Sequence, residues 1–234
     1  MITGNFSGGD MKNRNKNSLA VCFFLAGAVV ILTIGYQIYR QPYHEAERRN
    51  KCEDRIIEAY LEQKENGNPE DKPTEENPTE YLYSDVGEYA FQGKMDCILV
   101  IDKINLKKAV IRGNALGDNE VNLSRYYFVT ADLTQNLGGN YIIYGHCSDT
   151  YGHSFNRLEE LNIGDTFYIL QENMKYYYRI EAVDRVLRSE SNPYFQALKN
   201  RVTFVSCEKN IAAGYTENRV IIVRSIQTGK ESIR

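Results

Sequence analysis

The fold is decided by residues 201–226, which read RVTFVSCEKNIAAGYTENRVIIVRSI. Two apolar runs, at 201–206 and 219–226, are rich in the branched and aromatic side chains that favour extended backbone. Cys207 directly follows the first run, and Arg219 opens the second. We therefore predict two strands here. If they are neighbours in one sheet, the guanidinium of Arg219 can lie beside the thiol of Cys207.

Similar short runs continue this pattern toward the N-terminus. Apolar or alternating runs separated by glycine-containing turns are typical of all-β barrels and sandwiches. The further candidate strands are residues 97–102, 108–112, 140–144, 166–170 and 176–183. Residues 154–161, which read SFNRLEEL, have helical spacing and predict one short helix between strands. The sequence therefore predicts a mostly-β globular domain over residues 81–234.

Residues 17–39 form an uncharged, predominantly apolar stretch bounded by Lys16 and Arg40. At a rise of 1.5 Å per residue, a helix of this length spans roughly 35 Å, enough to cross a hydrocarbon layer of ~30 Å. The stretch is too long for a signal peptide and does not end in a small-x-small cleavage site, so it predicts an uncleaved transmembrane anchor after a short tail, residues 1–16. Lys and Arg flank both of its ends, so the positive-inside rule does not place the globular domain outside.

Two segments separate the predicted anchor from the globular domain. Residues 44–66 lack Gly and Pro and place Ile56 and Ile57 on one stripe, which predicts a membrane-proximal spacer helix over 40–66. Residues 67–80 combine proline with many acidic side chains and contain no aliphatic residue, a composition typical of linkers.

Charge and cysteine usage exclude several classes of function. The net charge is −3, with a net +3 in residues 1–40 and a net −6 in the remainder. Phosphate binding needs clustered Lys and Arg, so the acidic domain is a poor nucleic-acid binder. The five cysteines are an odd number and form no C-x-x-C pair, so neither a zinc ribbon nor a thioredoxin motif is indicated. We expect no metal and no cofactor.

His146 resembles Cys207 in its position, because it follows the apolar run YIIYG. A thiol nucleophile needs a base, which can be distant in sequence and close in the fold. Taken singly, Cys207 can be a buried structural thiol, His146 a hydrogen-bonded surface or core histidine, and Arg219 a solvated strand-end arginine. The alternative interpretation is a Cys–His pair with a guanidinium that stabilises the thiolate and a developing oxyanion.

Several motifs together resemble the sortase family. The segment T-F-V-S-C, ending at Cys207, resembles the sortase signature T-L-x-T-C. N-Y-I-I-Y-G-H, ending at His146, resembles the strand that carries the sortase histidine, and N-R-V-I-I-V resembles the strand that begins with the sortase arginine. F-N-R-L-E-E-L-N-I-G-D-T-F-Y-I and V-I-D-K-I-N-L-K-K-A-V-I-R-G resemble further segments of the same domain. The resemblance covers about residues 90–226.

The resemblance implies a closed β-barrel of about eight strands with short helices, and a transpeptidase reaction. Sortases of Gram-positive bacteria cut an LPXTG-type sorting motif of a secreted protein and join it to an amine of a cell-wall precursor or pilin. On that model Cys207 forms a thioester, His146 moves protons between the leaving and incoming amines, and Arg219 holds the substrate and stabilises the oxyanion. It also implies a membrane-anchored protein with a cytoplasmic N-terminus and an extracellular catalytic domain.

The resemblance also implies where the sorting motif binds. The loop over residues 185–200 is expected to help form the groove. Its Ser191 and Tyr194 are candidate substrate-binding residues, together with Thr203 and Ser206 of the signature segment.

Other interpretations stay open. A membrane-tethered cysteine hydrolase would use the same Cys207–His146 pair with water as acceptor, and a non-catalytic surface-binding module would use Cys207 structurally. Cys147 is either a bystander beside His146 or forms a reversible disulfide with Cys207 that switches activity off. The sortase class is open too, because the His146–Cys207 interval is too short for the extra helix of typical class B enzymes.

Overall fold

The computed structural model describes residues 10–66, 91–124, 128–147, 154–210 and 214–233. The chain divides into two compact units, Met1–Glu45 and Ala46–Arg234. The predicted linker over 67–80 lies outside the described residues.

One long helix, α1 (Asp10–Asn66), contains the predicted anchor. Within it, Phe23–Gln41 is long and apolar enough to cross a membrane, and no other helix of the described residues meets that criterion. Its large apolar side chains are exposed, Phe24 by 79% and Leu32 by 72%. An apolar surface of this kind favours a lipid environment over water.

Eight strands form a closed barrel in the second unit, which confirms the predicted mostly-β fold. Around the barrel the order is β1-β2-β3-β4-β7-β8-β6-β5. The strands are β1 (Lys94–Ile101), β2 (Leu106–Arg112), β3 (Val129–Ala131), β4 (Asn140–Tyr144), β5 (Thr166–Gln171), β6 (Met174–Leu187), β7 (Arg201–Asn210) and β8 (Gly214–Ser232). Helix α2 (Leu116–Ser124) connects β2 to β3. Closure gives every strand two neighbours and fixes the strand order near the site.

Aromatic side chains fill the barrel interior. The Phe167 ring lies 4.8 Å from that of Phe204 and stacks on Tyr178 at 5.1 Å between centroids. Phe155, from the segment after β4, contacts Phe204 edge to face at 5.5 Å. All four side chains are buried. Burial of an aromatic or large aliphatic side chain contributes about 1.5–3 kcal/mol each, so this core holds the two site-bearing strands rigidly.

The C-terminal part of α1 packs against the barrel. Ile56 and Ile57 are buried in one apolar cluster with residues of β1 and β2, including Ile98. The Glu53 carboxylate accepts hydrogen bonds from Lys108 Nζ at 2.6 Å and from a β2 backbone N–H at 2.9 Å. The stripe interpreted from the sequence as one face of a spacer helix is therefore a docking face, and residues 46–66 belong to the compact unit of the barrel.

The segment predicted as a helix over residues 154–161 is mostly irregular. Ser154 has a left-handed φ of 43°, which starts no helix, and only Leu158–Glu160 form a short 3₁₀ helix. Phe155 and Leu158 are both buried, so the apparent helical spacing reflects anchoring of this segment onto the core.

Candidate active site

Strands β4 and β7 are parallel neighbours and bring two predicted site residues to the same end of the barrel. Their register ends with Tyr144 opposite Val205. One residue further, the Gly145 N–H donates a hydrogen bond to the Val205 carbonyl over 3.1 Å. If the same offset continues past the end of β4, His146 corresponds to Cys207. The sheet therefore brings the segment that carries His146 alongside the strand that carries Cys207.

Gly145 determines the path of the backbone just before His146. A Cβ at Gly145 would lie 2.5 Å from the Phe155 ring, so no larger residue fits without moving the core. The Phe155 N–H donates to the His146 carbonyl over 2.8 Å, which fixes the backbone on the other side. Burial lowers the pKa of His146 below its ordinary 6.5 and favours a neutral imidazole that can accept a proton.

Cys207 lies opposite Val220 of β8, beside a β-bulge between Cys207 and Lys209. Strand β7 continues to Asn210, so the thiol marks an irregularity within the strand where the sequence predicted a strand end. Bulges commonly redirect side chains next to functional sites. Arg188 Nη2 donates a hydrogen bond to Cys207 Sγ over 3.4 Å.

Strands β7 and β8 are neighbours, and Arg219 precedes Val220, the strand partner of Cys207. Its Nε donates to the Glu208 carboxylate over 2.6 Å, and its Nη2 donates to the Arg185 carbonyl over 3.3 Å. Glu208 also pairs with the Arg185 guanidinium at 3.5 Å. Glu208, the residue directly after Cys207, therefore binds the Arg219 guanidinium.

A cavity of about 10 Å³, roughly the room for one water molecule, adjoins the thiol. Its lining residues are Cys147, Phe155, Asn156, Glu159, Cys207, Glu208 and Ile221. Glu159 also borders a wider groove of about 390 Å³. That groove is lined further by Leu161, Asn162, Ile163, Val183 and Arg185. The thiol thus has a small cavity beside it and a wider groove nearby.

The Thr203 side chain is buried and helps to fix the backbone of the predicted substrate groove. Its hydroxyl donates to the Asn140 side-chain oxygen over 2.7 Å. The Asn140 amide then donates to the carbonyls of Tyr194 and Gln196 over 3.1 and 2.9 Å. This chain of hydrogen bonds fixes the segment between β6 and β7 against β4.

The hydroxyls of the two predicted serines are also bonded within the protein. Ser206 donates to the Gly145 carbonyl over 2.8 Å, and Ser191 donates to the Arg188 carbonyl over 2.7 Å. Both serines are buried. In this structure they fix the backbone next to His146 and next to Arg188.

Tyr194 packs on an apolar cluster beside Cys207. The cluster consists of Ile142, Val205, Val220 and Ile222, with Tyr144, Val186, Tyr194 and Phe195 packed against it. Val220 is also the strand partner of Cys207, so the apolar surface extends to the thiol. The four core members are buried, and the side chains packed against them are half-buried.

Cys147 lines the same cavity as Cys207 and forms an isolated β-bridge with Ser154. Neither cysteine is in a disulfide. Among the described residues, no group of three His, Cys, Asp or Glu side chains could hold a metal ion.

Sequence reasoning missed two residues of this site. Glu208 carried a weak signal, since it adjoins Cys207 in a sequence already singled out. Arg188 lies in the predicted groove loop, but nothing in its sequence context indicated contact with the thiol. That contact depends on where β6 ends against β8, with Leu187 opposite Arg219.

Comparison with known proteins adds independent findings. A family model described as the sortase domain matches residues 99–226. No curated protein matches the chain.

Solved structures share the fold. Sortase A of Listeria monocytogenes superposes with a TM-score of 0.51 at 16% identity, covering 60% of this chain and 92% of that one. A Clostridium perfringens sortase D5 transpeptidase gives 0.52 at 16% identity, covering 76% and 99%. Streptococcus agalactiae sortase C1 gives 0.51 at 16% identity, covering 75% and 95%. At these identities the likeness concerns the fold alone.

Proposed function

The chain belongs to the sortase family of cysteine transpeptidases, and from that premise we propose that Cys207 is its nucleophile, assisted by His146 and Arg219. The single observation that carries the proposal is the parallel pairing of β4 with β7, which ends two residues before His146 and Cys207. A thiol and an imidazole that meet beyond this pairing would be the pair that acyl transfer needs.

The first step is acylation. The Cys207 thiolate attacks the carbonyl of the scissile peptide bond, so the S–C bond forms as the C–N bond breaks. His146 in its protonated form gives a proton to the leaving amine. Because burial disfavours the imidazolium of His146, this proton is readily released.

The second step is transfer to an amine. A neutral His146 accepts a proton from the incoming amine, whose nitrogen attacks the thioester and displaces the thiolate. The bond energy held in the thioester makes a nucleotide unnecessary. We infer that the acceptor amine reaches the thioester through the groove bordered by Glu159 and Arg185. A hydrolase would use the same pair with water.

Arg219 stabilises the negative charge on the tetrahedral intermediates. Glu208 holds the guanidinium at a fixed position, with 2.6 Å between the two groups, so little reorganisation is needed during reaction. The sorting motif, of LPXTG type, lies on the apolar cluster that contains Val205 and Tyr194. Substrates are secreted proteins with such a motif, and acceptors are amines of a peptidoglycan precursor or a pilin.

Helix α1 anchors the enzyme in the cell membrane through the exposed apolar segment Phe23–Gln41. The proposed orientation has the N-terminus in the cytoplasm and the barrel outside, where secreted substrates and cell-wall amines are found.

The test uses the full chain in detergent with a library of sorting-motif peptides and an added glycine or diaminopimelate amine. We expect ligated product from the wild type and none from Cys207→Ala, with losses of at least ~100-fold for His146→Ala and Arg219→Ala. Cys147→Ala and Arg179→Ala are matched controls that should keep activity. Product formation by Cys207→Ala would overturn the assignment, and hydrolysis without ligation at saturating amine would favour the hydrolase.

A further inference from the structure

We propose that Arg188 is a further catalytic residue, the guanidinium that stabilises the Cys207 thiolate before substrate binds and again when the product leaves. The proposal rests on the function proposed above, because it takes Cys207 as the nucleophile. Under this proposal Arg188 and Arg219 have different roles in the reaction.

The first observation is contact. Arg188 Nη2 lies 3.4 Å from Cys207 Sγ, within reach of an N–H···S hydrogen bond. The described hydrogen bonds of Arg219 go instead to the Glu208 carboxylate and the Arg185 carbonyl. A guanidinium adjacent to a thiol favours its ionised form.

The second observation is charge. Among the residues that the structure describes, the ion pairs around the thiol join Glu208 to Arg219 and to Arg185. None of the described ion pairs uses Arg188. No carboxylate of the described residues is therefore ion-paired with Arg188, whereas the guanidinium of Arg219 is paired with Glu208 at 2.6 Å. A charge without a paired carboxylate acts more strongly on a neighbouring anion.

The third observation is positioning. Arg188 begins the 3₁₀ helix Arg188–Glu190 directly after β6. Its carbonyl accepts hydrogen bonds from the Ser191 hydroxyl at 2.7 Å and the Ser191 N–H at 3.2 Å. Ser191 is buried, so its hydrogen bonds to the Arg188 carbonyl stabilise the turn that carries Arg188. The β6–β8 pairing of Leu187 with Arg219 fixes the point at which this turn begins.

The chemistry follows from these contacts. When the Cys207 thiol gives its proton to His146, Arg188 faces the resulting thiolate. As the S–C bond of the thioester forms, the sulfur loses its charge and the exposed Arg188 side chain is released from it. Attack by the amine breaks the S–C bond and the thiolate is restored beside Arg188. Arg188 thus acts on the anion at sulfur, and Arg219 on the anion at the carbonyl oxygen.

The test measures thiolate formation without substrate. The full chain in detergent is alkylated with iodoacetamide, and the modification of Cys207 is followed by peptide mass spectrometry. At pH 7 we expect Arg188→Gln to slow alkylation about tenfold, Arg188→Lys to recover part of the rate, and Arg179→Gln, an exposed arginine of β6, to have no effect.

Two further readouts separate an electrostatic role from a structural one. At strongly alkaline pH, where every thiol is ionised, the rates of Arg188→Gln and wild type should converge. Salt should reduce the difference at pH 7, because the contact is exposed and is screened. Equal rates at pH 7, or a deficit that persists at alkaline pH, would overturn the role of Arg188.

Peptide ligation by the same variants distinguishes this inference from the proposed function. If Cys207→Ala ligates peptides, the nucleophile is wrong whatever the alkylation rates show. If Cys207→Ala is inactive, and Arg188→Gln ligates peptides and is alkylated at the wild-type rates, only the proposed role of Arg188 is wrong. We expect Arg188→Gln to lose ligation activity in proportion to the slower alkylation of its Cys207.

Discussion

The Glu208 carboxylate accepts a hydrogen bond from Arg219 Nε over 2.6 Å, and Glu208 is the residue that follows Cys207. One side chain thus links the nucleophile's strand to the proposed oxyanion-binding guanidinium. The link crosses from β7 to β8 at the bulge beside Cys207.

We expect Glu208→Gln to lower kcat/KM for peptide ligation about tenfold, because a neutral amide holds a guanidinium less firmly than a carboxylate. Steady-state kinetics with a sorting-motif peptide measure the change. Glu120→Gln, an exposed carboxylate on α2, is the matched control. Unchanged kinetics in Glu208→Gln would mean that Arg219 does not depend on this contact.

Thr203→Val should raise KM for the peptide about tenfold while leaving the fold intact. The substitution removes the hydroxyl that orients the Asn140 amide, and that amide holds the carbonyls of Tyr194 and Gln196. Ser225→Ala is the control, because it removes another buried hydroxyl that bonds to a β7 carbonyl without contacting this segment. An equal rise of KM in both variants would point to general loosening of the barrel.

The pKa of His146 should be below 6.5 in the folded protein, because burial penalises the imidazolium. The unfolded chain then binds a proton more readily than the folded one. The resulting stability is fully present above pH ~6.5 and is lost as pH falls through the folded-state value. A histidine NMR titration, assigned with His146→Gln, measures the midpoint, and a midpoint at or above 6.5 contradicts the prediction.

Glu53→Ala should lower the free energy of unfolding by about 3–5 kcal/mol, because it leaves the Lys108 ammonium buried without its carboxylate at 2.6 Å. Urea denaturation of the full chain in detergent measures the loss. Glu47→Ala removes an exposed helical pair with Lys51 and should cost about 0.3–0.5 kcal/mol. Similar small losses in both variants would mean that α1 contributes little to the stability of the barrel.

The parts of the fold that were predictable are those whose signal is local. Strand β4 was predicted with its observed ends because an apolar run lies between glycines at both sides. Strand β3 has only three residues, too few for a recognisable strand pattern, so it was missed. Strands β6 and β8 extend beyond their apolar runs because each supplies the other's backbone hydrogen bonds, a long-range pairing that composition does not reveal.

The site also contains features that local sequence predicts and features that depend on long-range pairing. His146 and Cys207 follow apolar runs, so their positions just after β4 and on β7 could be predicted, while their proximity stays a prediction. The Arg188–Cys207 contact could not, because it joins a turn after β6 to β7 across β8. The docking of Glu53 on Lys108 was also missed, since the helical stripe indicates a buried face without naming its partner.

Oxidation should join Cys147 and Cys207 in a reversible disulfide that abolishes ligation. Both half-buried thiols line one cavity of about 10 Å³, and neither is in a disulfide in this structure. Diamide would accept the two electrons and two protons that the thiols lose, and dithiothreitol would restore them. Intact mass and peptide mapping should show a loss of two hydrogens in the wild type and none in Cys147→Ala, which keeps its activity. Absence of a bridged peptide after loss of activity would assign the inactivation to oxidation of Cys207 alone.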